Sequence, residues 1–150
     1  MRATQVLMVD HEEANTLLNT LVAGDMGAND AAVFGRLKES LEIHTSLEEE
    51  IFYPALEGFP ETKQLIEDSY AEHEEVDKLL AEMSPGNSSW DDQIVELRKK
   101  VEHHAEKEER ELFPKAEELL SDEELLEMGT KMQGVKAGRQ PVPAAGAATS

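Results

Sequence analysis

The chain has 150 residues and no cysteine, and its 33 acidic against 14 basic residues give a formal net charge of −19. This length is that of one domain, and the lack of thiols excludes disulfides, thiolate metal sites and cysteine catalysis. The acidic excess disfavours nucleic acids and anionic membrane surfaces as partners, because both carry negative charge. No secretory signal and no apolar stretch of roughly 20 residues is visible, so we expect a cytoplasmic monomer that spans no membrane.

Apolar residues at helical spacing dominate the chain and predict an all-α fold. Four long helices are expected, at about residues 4–23, 31–56, 61–83 and 90–120. Segments rich in glycine, proline and serine separate them, and no segment shows the alternation of a β-strand between turns. Long helices joined by short connections imply an antiparallel up-down-up-down four-helix bundle.

The carboxy-terminal part of the chain differs from the four long helices. Ser121 and Glu124 have the spacing of a capping box, which predicts a short fifth helix that ends near Gln133. Beyond it the residues are mostly Ala, Gly, Pro, Ser and Thr, a composition typical of disorder. We therefore assign residues 1–134 to the bundle and residues 135–150 to a disordered tail with no part in the chemistry.

The most informative feature is an internal repeat that divides the chain into two halves. Residues 11–18, which begin His-Glu-Glu, return at residues 73–80, and residues 44–54 return at residues 104–114. Both copies of the longer segment begin with His, carry Glu-Glu from the fifth position and end in Pro. The first two helices are thus echoed by the third and fourth, which predicts a pseudo-twofold axis with one histidine of the repeat on each helix.

The repeat places imidazoles and carboxylates together on the buried faces of the helices. A histidine and a glutamate four residues apart share one face of a helix. Any one of these residues alone would more often be a satisfied core residue or a surface charge, but burying all of them is unfavourable without a partner, and one metal centre would satisfy the whole set. The candidate metal ligands are His11, His44, Glu48, His73, His104 and Glu108.

The ligand types narrow the choice of metal. Imidazole and carboxylate without sulfur suit iron or manganese and, less exclusively, zinc. If both glutamates bridge two ions, an octahedral pair still has open positions for a small exogenous ligand, which favours a dinuclear reactive site over a closed structural one. The spacing matches neither the Glu-x-x-His of ferritin-like proteins nor the His-Glu-x-x-His of zinc proteases.

With these motifs identified, the chain resembles the hemerythrin-like, or HHE cation-binding, family over about residues 4–120. The resemblance implies an antiparallel four-helix bundle around a non-haem centre of two Fe ions with an oxo or hydroxo bridge. It further implies the four histidines as terminal ligands and Glu48 and Glu108 as bridges. The second half, including Trp90 and the helix after Ser121, also resembles actinobacterial hemerythrin-like proteins, which are associated with peroxide decomposition.

The chain departs from the oxygen-carrying members of that family in two places. Asp77 stands where they have a fifth histidine, and Glu108 follows His104 by four residues where they have an aspartate at wider spacing. These departures argue against simple oxygen carriage. The reserve candidates for a further ligand are His103, Glu49, Asp77 and Glu109.

The expected function is the reaction of a di-iron centre with the small ligands O2, H2O2 or NO, with catalase-like peroxide decomposition favoured. Reversible O2 or NO binding, sensing or iron storage without turnover is the alternative, and a metal-free helical interaction module is a third possibility. Tyr70, one turn before His73, is a candidate proton donor by spacing, although core packing is its more ordinary role.

Overall fold

The structure, a computed structural model, describes residues 1–24 and 29–139. All regular secondary structure in these ranges is helical, and none of their residues forms a strand. The segments are α1 (Ala3–Ala23), α2 (Asp30–Leu47), π1 (Glu48–Phe52), α3 (Tyr53–Leu56), α4 (Lys63–Glu82), α5 (Trp90–Lys107), π2 (Glu108–Leu112), α6 (Phe113–Leu119) and α7 (Asp122–Arg139). Because α2, π1 and α3 are continuous, as are α5, π2 and α6, the predicted four long helices are confirmed.

The four long helices form a bundle to which α7 is added. α1 contacts α2 and α5, α4 contacts α5, and α7 lies mainly against α1. The predicted all-α bundle is therefore confirmed. In the part of the chain that the structure describes, no helix is both long enough and apolar enough to cross a membrane.

Two of the long helices widen at the same point of the repeat, where the sequence predicts continuous helix. The backbone N–H of Tyr53 donates to the carbonyl of Glu48, five residues earlier, and Phe113 donates in the same way to Glu108. A proline follows each of these aromatic residues and cannot continue the α-helical hydrogen bonds, because it has no N–H. π-helical turns of this kind occur frequently at functional sites.

The buried apolar side chains form two clusters, one on each side of the repeat histidines. On α1, His11 lies between Leu7 of one cluster and Ala14 of the other, and on α2 His44 lies between Leu47 and Leu41 in the same way. Helical spacing places these residues on one buried face. The histidines therefore occupy a polar layer between two apolar cores.

The last helix, α7, is longer than the sequence predicts. Its capping box is present, since the N–H of Ser121 donates to the Glu124 carboxylate at 2.9 Å and the N–H of Glu124 donates to Ser121 Oγ at 3.1 Å. The helix continues past Gln133 as far as Arg139, the last described residue, and Val135 packs against the core. It thus includes residues 135–139, which the sequence assigns to the tail; the rest of that tail, residues 140–150, lies outside the described residues.

Candidate metal centre

The six predicted ligands lie together in the middle of the bundle, although they come from all four long helices. They form two groups, and the potential ligand atoms within each group lie within 4.8 Å of one another. The first group is His11, His44, Glu48 and Glu108, and the second is Glu48, His73 and His104. Since Glu48 belongs to both groups, the two candidate cation sites are adjacent and have one carboxylate in common.

Glu48 is fully buried at the centre of the cluster. Its Oε1 lies 2.9 Å from Nε2 of His73 and 3.4 Å from Nε2 of His44. Within the described ranges, Oε2 of Glu48 and Nε2 of His44 are buried without a hydrogen-bond partner. Unpartnered buried polar atoms are unfavourable, and a cation between them would satisfy both. The residues present therefore fit a metal ion.

Glu108 connects the two halves from the opposite helix. Its Oε1 lies 3.1 Å from Nε2 of His11, while its Oε2 lies 3.3 Å from Nε2 of His104. Each oxygen thus faces an imidazole of a different half, which is the geometry that a carboxylate bridge between two ions requires. The hydroxyl of Tyr53 donates to Oε2 of Glu108 at 2.6 Å and lies 3.4 Å from Nε2 of His73.

Tyr53 is a site residue that the sequence did not predict. On a straight α-helix, a residue five positions after Glu48 would face away from it, but the π1 turn brings Tyr53 back to the cluster. Tyr70, the predicted candidate proton donor, instead donates to Glu57 at 3.1 Å in an exposed hydrogen bond. The one signal in the sequence was that the first copy of the repeat has tyrosine where the second copy has Phe113.

Each of the four histidines directs its second ring nitrogen, Nδ1, to a carboxylate outside the central cluster. Such a partner orients a metal-binding imidazole and fixes which nitrogen is free to bind. Each partner is a sequence neighbour of a predicted ligand, which is the pattern that could have revealed it. The pairs are His11 with Glu109 (2.7 Å), His44 with Asp10 (2.9 Å), His73 with Glu49 (2.7 Å) and His104 with Glu72 (2.5 Å).

The reserve ligands are not brought into the central cluster. Glu49 and Glu109 are neither free surface charges nor members of the two ligand groups, since they hold the imidazoles of His73 and His11. Asp77 and His103 are exposed and lie outside both groups. The structure therefore shows no fifth imidazole at the cluster among its described residues.

The electrostatics of the metal-free cluster favour positive charge at its centre. Burial lowers the pKa of His44, but the carboxylate of Glu48 and the hydrogen bond to Asp10 outweigh it and raise the pKa to about 10. Burial likewise opposes the charge on His104, yet Glu108 and other carboxylates raise its pKa to about 12. Because a metal ion needs the imidazoles without these protons, metal binding would replace protons by the cation.

A small cavity reaches the imidazoles from the side of the apolar cluster that contains Ala14 and Leu41. Its volume is about 40 Å³, and a single water needs roughly 10–15 Å³ of such space. Its apolar wall consists of Ala14, Leu41, Val76, Val101 and Ala105. The cavity therefore suits a neutral ligand of a few atoms.

Comparisons with known proteins show the family of the chain and a solved structure of similar fold. The chain matches the family described as Hemerythrin HHE cation binding domain over residues 2–116. It is 27% identical, over 91% of its length, to a DNA nickase from a Nostoc species, and it spans 40% of that protein. It is 31% identical, over 67% of its length, to the uncharacterized protein Rv2633c of Mycobacterium tuberculosis, of which it spans 63%. The crystal structure of a hemerythrin HHE cation-binding domain-containing protein from Mycobacterium kansasii, a homologue of Rv2633c, superposes with a TM-score of 0.77 at 25% identity, over 92% of this chain and 89% of that one.

Proposed function

Because this chain belongs to the hemerythrin HHE cation-binding family, we propose that its cluster holds two iron ions and decomposes hydrogen peroxide to water and oxygen. The observation that carries the proposal is that Glu48 belongs to both groups of potential ligands while Glu108 faces both halves. Imidazole and carboxylate ligands without sulfur suit iron. When bound, a pair of iron ions supplies the redox capacity for reducing one peroxide and oxidising a second.

The protein's own residues divide into three roles. The four histidines would be terminal ligands, and Glu48 and Glu108 would be the bridges. The carboxylates that accept from Nδ1 of the histidines hold each imidazole in one orientation and tautomer, so that the ligands need not reorganise when the ions bind. This division explains why the acidic residues next to the ligands in sequence lie in the site without belonging to either ligand group.

Tyr53 supports the peroxide reaction because it places a hydroxyl proton at the cluster. Burial, together with the carboxylates of Glu48 and Glu108, raises the pKa of Tyr53 well above its usual value. The phenol therefore keeps its proton at neutral pH, and its hydroxyl would donate to a peroxide oxygen in place of Glu108, to which it donates here. Cleavage of the O–O bond to form water consumes protons, and a positioned donor accelerates such a step by about 10²–10⁴-fold.

The cavity supports a small substrate. Its apolar wall and its volume of about 40 Å³ admit peroxide but leave no room for a bulky organic hydroperoxide. Strand cleavage, the activity in the name of the Nostoc relative, is not part of the proposal, because a net charge of −19 opposes approach to a phosphate backbone.

The test is to load the protein with iron, measure iron per chain, add hydrogen peroxide and follow oxygen release. We expect many turnovers in the wild type and none in Glu48→Ala. His103→Ala is the matched control, because this exposed histidine lies next to His104 but outside the cluster. Iron binding without turnover, together with a reversible O2 or NO adduct, would favour the carrier or sensor alternative. One zinc per chain would contradict the di-iron proposal itself.

A further inference from the structure

We propose that Lys136, on the added helix α7, is a positioning residue of the metal centre, because it holds Asp10, which in turn holds the imidazole of His44. Lys136 Nζ donates to Oδ1 of Asp10 at 2.5 Å. Oδ2 of the same carboxylate accepts from Nδ1 of His44 at 2.9 Å. Three side chains thus link α7 through α1 to a candidate ligand on α2, and Asp10 at their centre is buried.

The second half of the repeat has the same series of histidine, carboxylate and lysine, but its lysine comes from a helix other than α7. There Glu72 pairs with His104, and Lys107 donates to Glu72 at 3.3 Å from three residues further along the same helix as His104. The residue that corresponds to Lys107 in the first half is Leu47, which is fully buried. The first half therefore has no cation at the position that matches Lys107, and Lys136 of α7 donates to its carboxylate instead.

The position of α7 follows from the same difference. Leu47 and Val6 belong to one buried apolar cluster with Leu125 and Met132 of α7. Apolar burial against α1 thus fixes where α7 lies, and one turn after Met132 the helix brings Lys136 to Asp10. The apolar contacts of α7 thus determine where Lys136 lies.

Lys136 and His44 are the two groups that hydrogen-bond to the carboxylate of Asp10 among the described residues. Asp10 lines a surface groove of about 450 Å³ together with Glu13, Arg36, Glu39 and Lys136, and Arg36 lies 3.9 Å from the carboxylate of Glu13. Removing Lys136 leaves Oδ1 of the buried Asp10 carboxylate without this hydrogen-bond partner, which favours a turn of Asp10 away from His44 towards water in the groove. Loss of the carboxylate that orients a metal-binding imidazole typically lowers metal affinity by about 10–100-fold. We therefore expect the His11–His44 side to hold its ion more weakly.

The first experiment compares iron release to a ferrous chelator in three variants of the full chain, and it rests on the proposed metal centre. Lys136→Met should release one of its two ions about tenfold faster than the wild type, while the other ion keeps its rate. Lys136→Arg, which keeps the charge, should restore slow release. Lys131→Met is the matched control, because this lysine of α7 is exposed. Wild-type release of both ions from Lys136→Met would overturn the inference, even with the di-iron proposal intact.

The second experiment needs no metal and so separates the two proposals. In the metal-free protein, the Nδ1 proton of His44 should give a slowly exchanging NMR signal in the wild type and in Lys131→Met. That signal should be lost in Lys136→Met while the remaining helix signals persist. If it stays unchanged in Lys136→Met, Lys136 does not position His44. If the wild type binds no iron but this signal is lost only in Lys136→Met, the positioning role stands and the proposed function fails.

Discussion

The two halves of the bundle share one framework of imidazoles and carboxylates but differ in the side chains around it. On the His73–His104 side, the Tyr53 hydroxyl lies 3.4 Å from Nε2 of His73. On the other side, Phe113 stacks on His11 with ring centroids 5.7 Å apart. Both halves thus have the imidazoles and carboxylates that a cation needs. The aromatic position differs, because Tyr53 provides a phenol on one side and Phe113 does not on the other.

The halves also differ in how they are supported from outside. The second half balances Glu72 with Lys107 of its own helix, while the first half has Leu47 at that position and relies on α7. The copy with leucine at this position is thus the one against which the fifth helix packs.

Removing the shared carboxylate should affect both ions, whereas removing one histidine should affect the ion on its own side. Glu48→Ala should lose both ions, because Glu48 belongs to both ligand groups, whereas His11→Ala should lose the ion of its own side first. Elemental analysis of iron per chain is the measurement, with His103→Ala as the control. Two tightly held ions in Glu48→Ala would mean that Glu48 is not a bridge.

Loss of the Tyr53 hydroxyl should slow turnover without changing the metal content. Tyr53→Phe should lower the rate of oxygen release by about 10²-fold, the low end of the effect of a positioned proton donor. Tyr70→Phe removes a hydroxyl that bonds only to Glu57 among the described residues and is the matched control. Equal rates in the two variants, at equal iron content, would rule out a catalytic hydroxyl at Tyr53.

The metal-free chain should lose stability as the pH rises. The pKa values of His44 and His104 are raised from 6.5 to about 10 and about 12 in the folded state. Protonation of these imidazoles therefore stabilises the fold fully below pH 6.5, and the contribution disappears as the pH rises through the folded values. We expect Tm of the metal-free chain to fall by at least about 5 °C between pH 6.5 and pH 10.

Circular dichroism during thermal unfolding measures this change in Tm. Iron-loaded protein is the comparison, because its imidazoles would carry a cation instead of protons, and its Tm should depend less on pH over the same interval. A Tm of the metal-free chain that rises from pH 6.5 to pH 10 would contradict the assignment of stabilising protons to the cluster.

Two glycines of α7 should respond in opposite directions to replacement by alanine. A Cβ on Gly129 would lie 1.9 Å from the carbonyl oxygen of Met1, whereas a Cβ on Gly134 would meet no described atom within 4 Å. Gly129→Ala should therefore lower the free energy of unfolding by about 1–3 kcal/mol. Gly134→Ala should raise it by about 0.5–1 kcal/mol, because glycine weakens a helix interior. Urea unfolding measures both, and a neutral Gly129→Ala would show that α7 is not closely packed against the amino terminus.

The helices and the six residues that meet at their centre could be predicted from local patterns in the sequence. Helical spacing is a local property, so His44 and Glu48 share a face whatever the rest of the chain does. The repeat then extends that argument to the second half. The family match over residues 2–116 confirms the resemblance drawn from these motifs.

The side chains that surround these six residues could not be predicted in this way, because they depend on contacts between helices. The pairs His44–Asp10 and His73–Glu49 join different helices, and their formation depends on which helices are neighbours and how each is rotated about its axis. Tyr53 reaches the cluster because the π1 turn changes the register of its helix, and Lys136 reaches Asp10 because α7 packs on Val6 and Leu47. Spacing along one helix predicts a face, but contacts between helices come from the packing of the whole core.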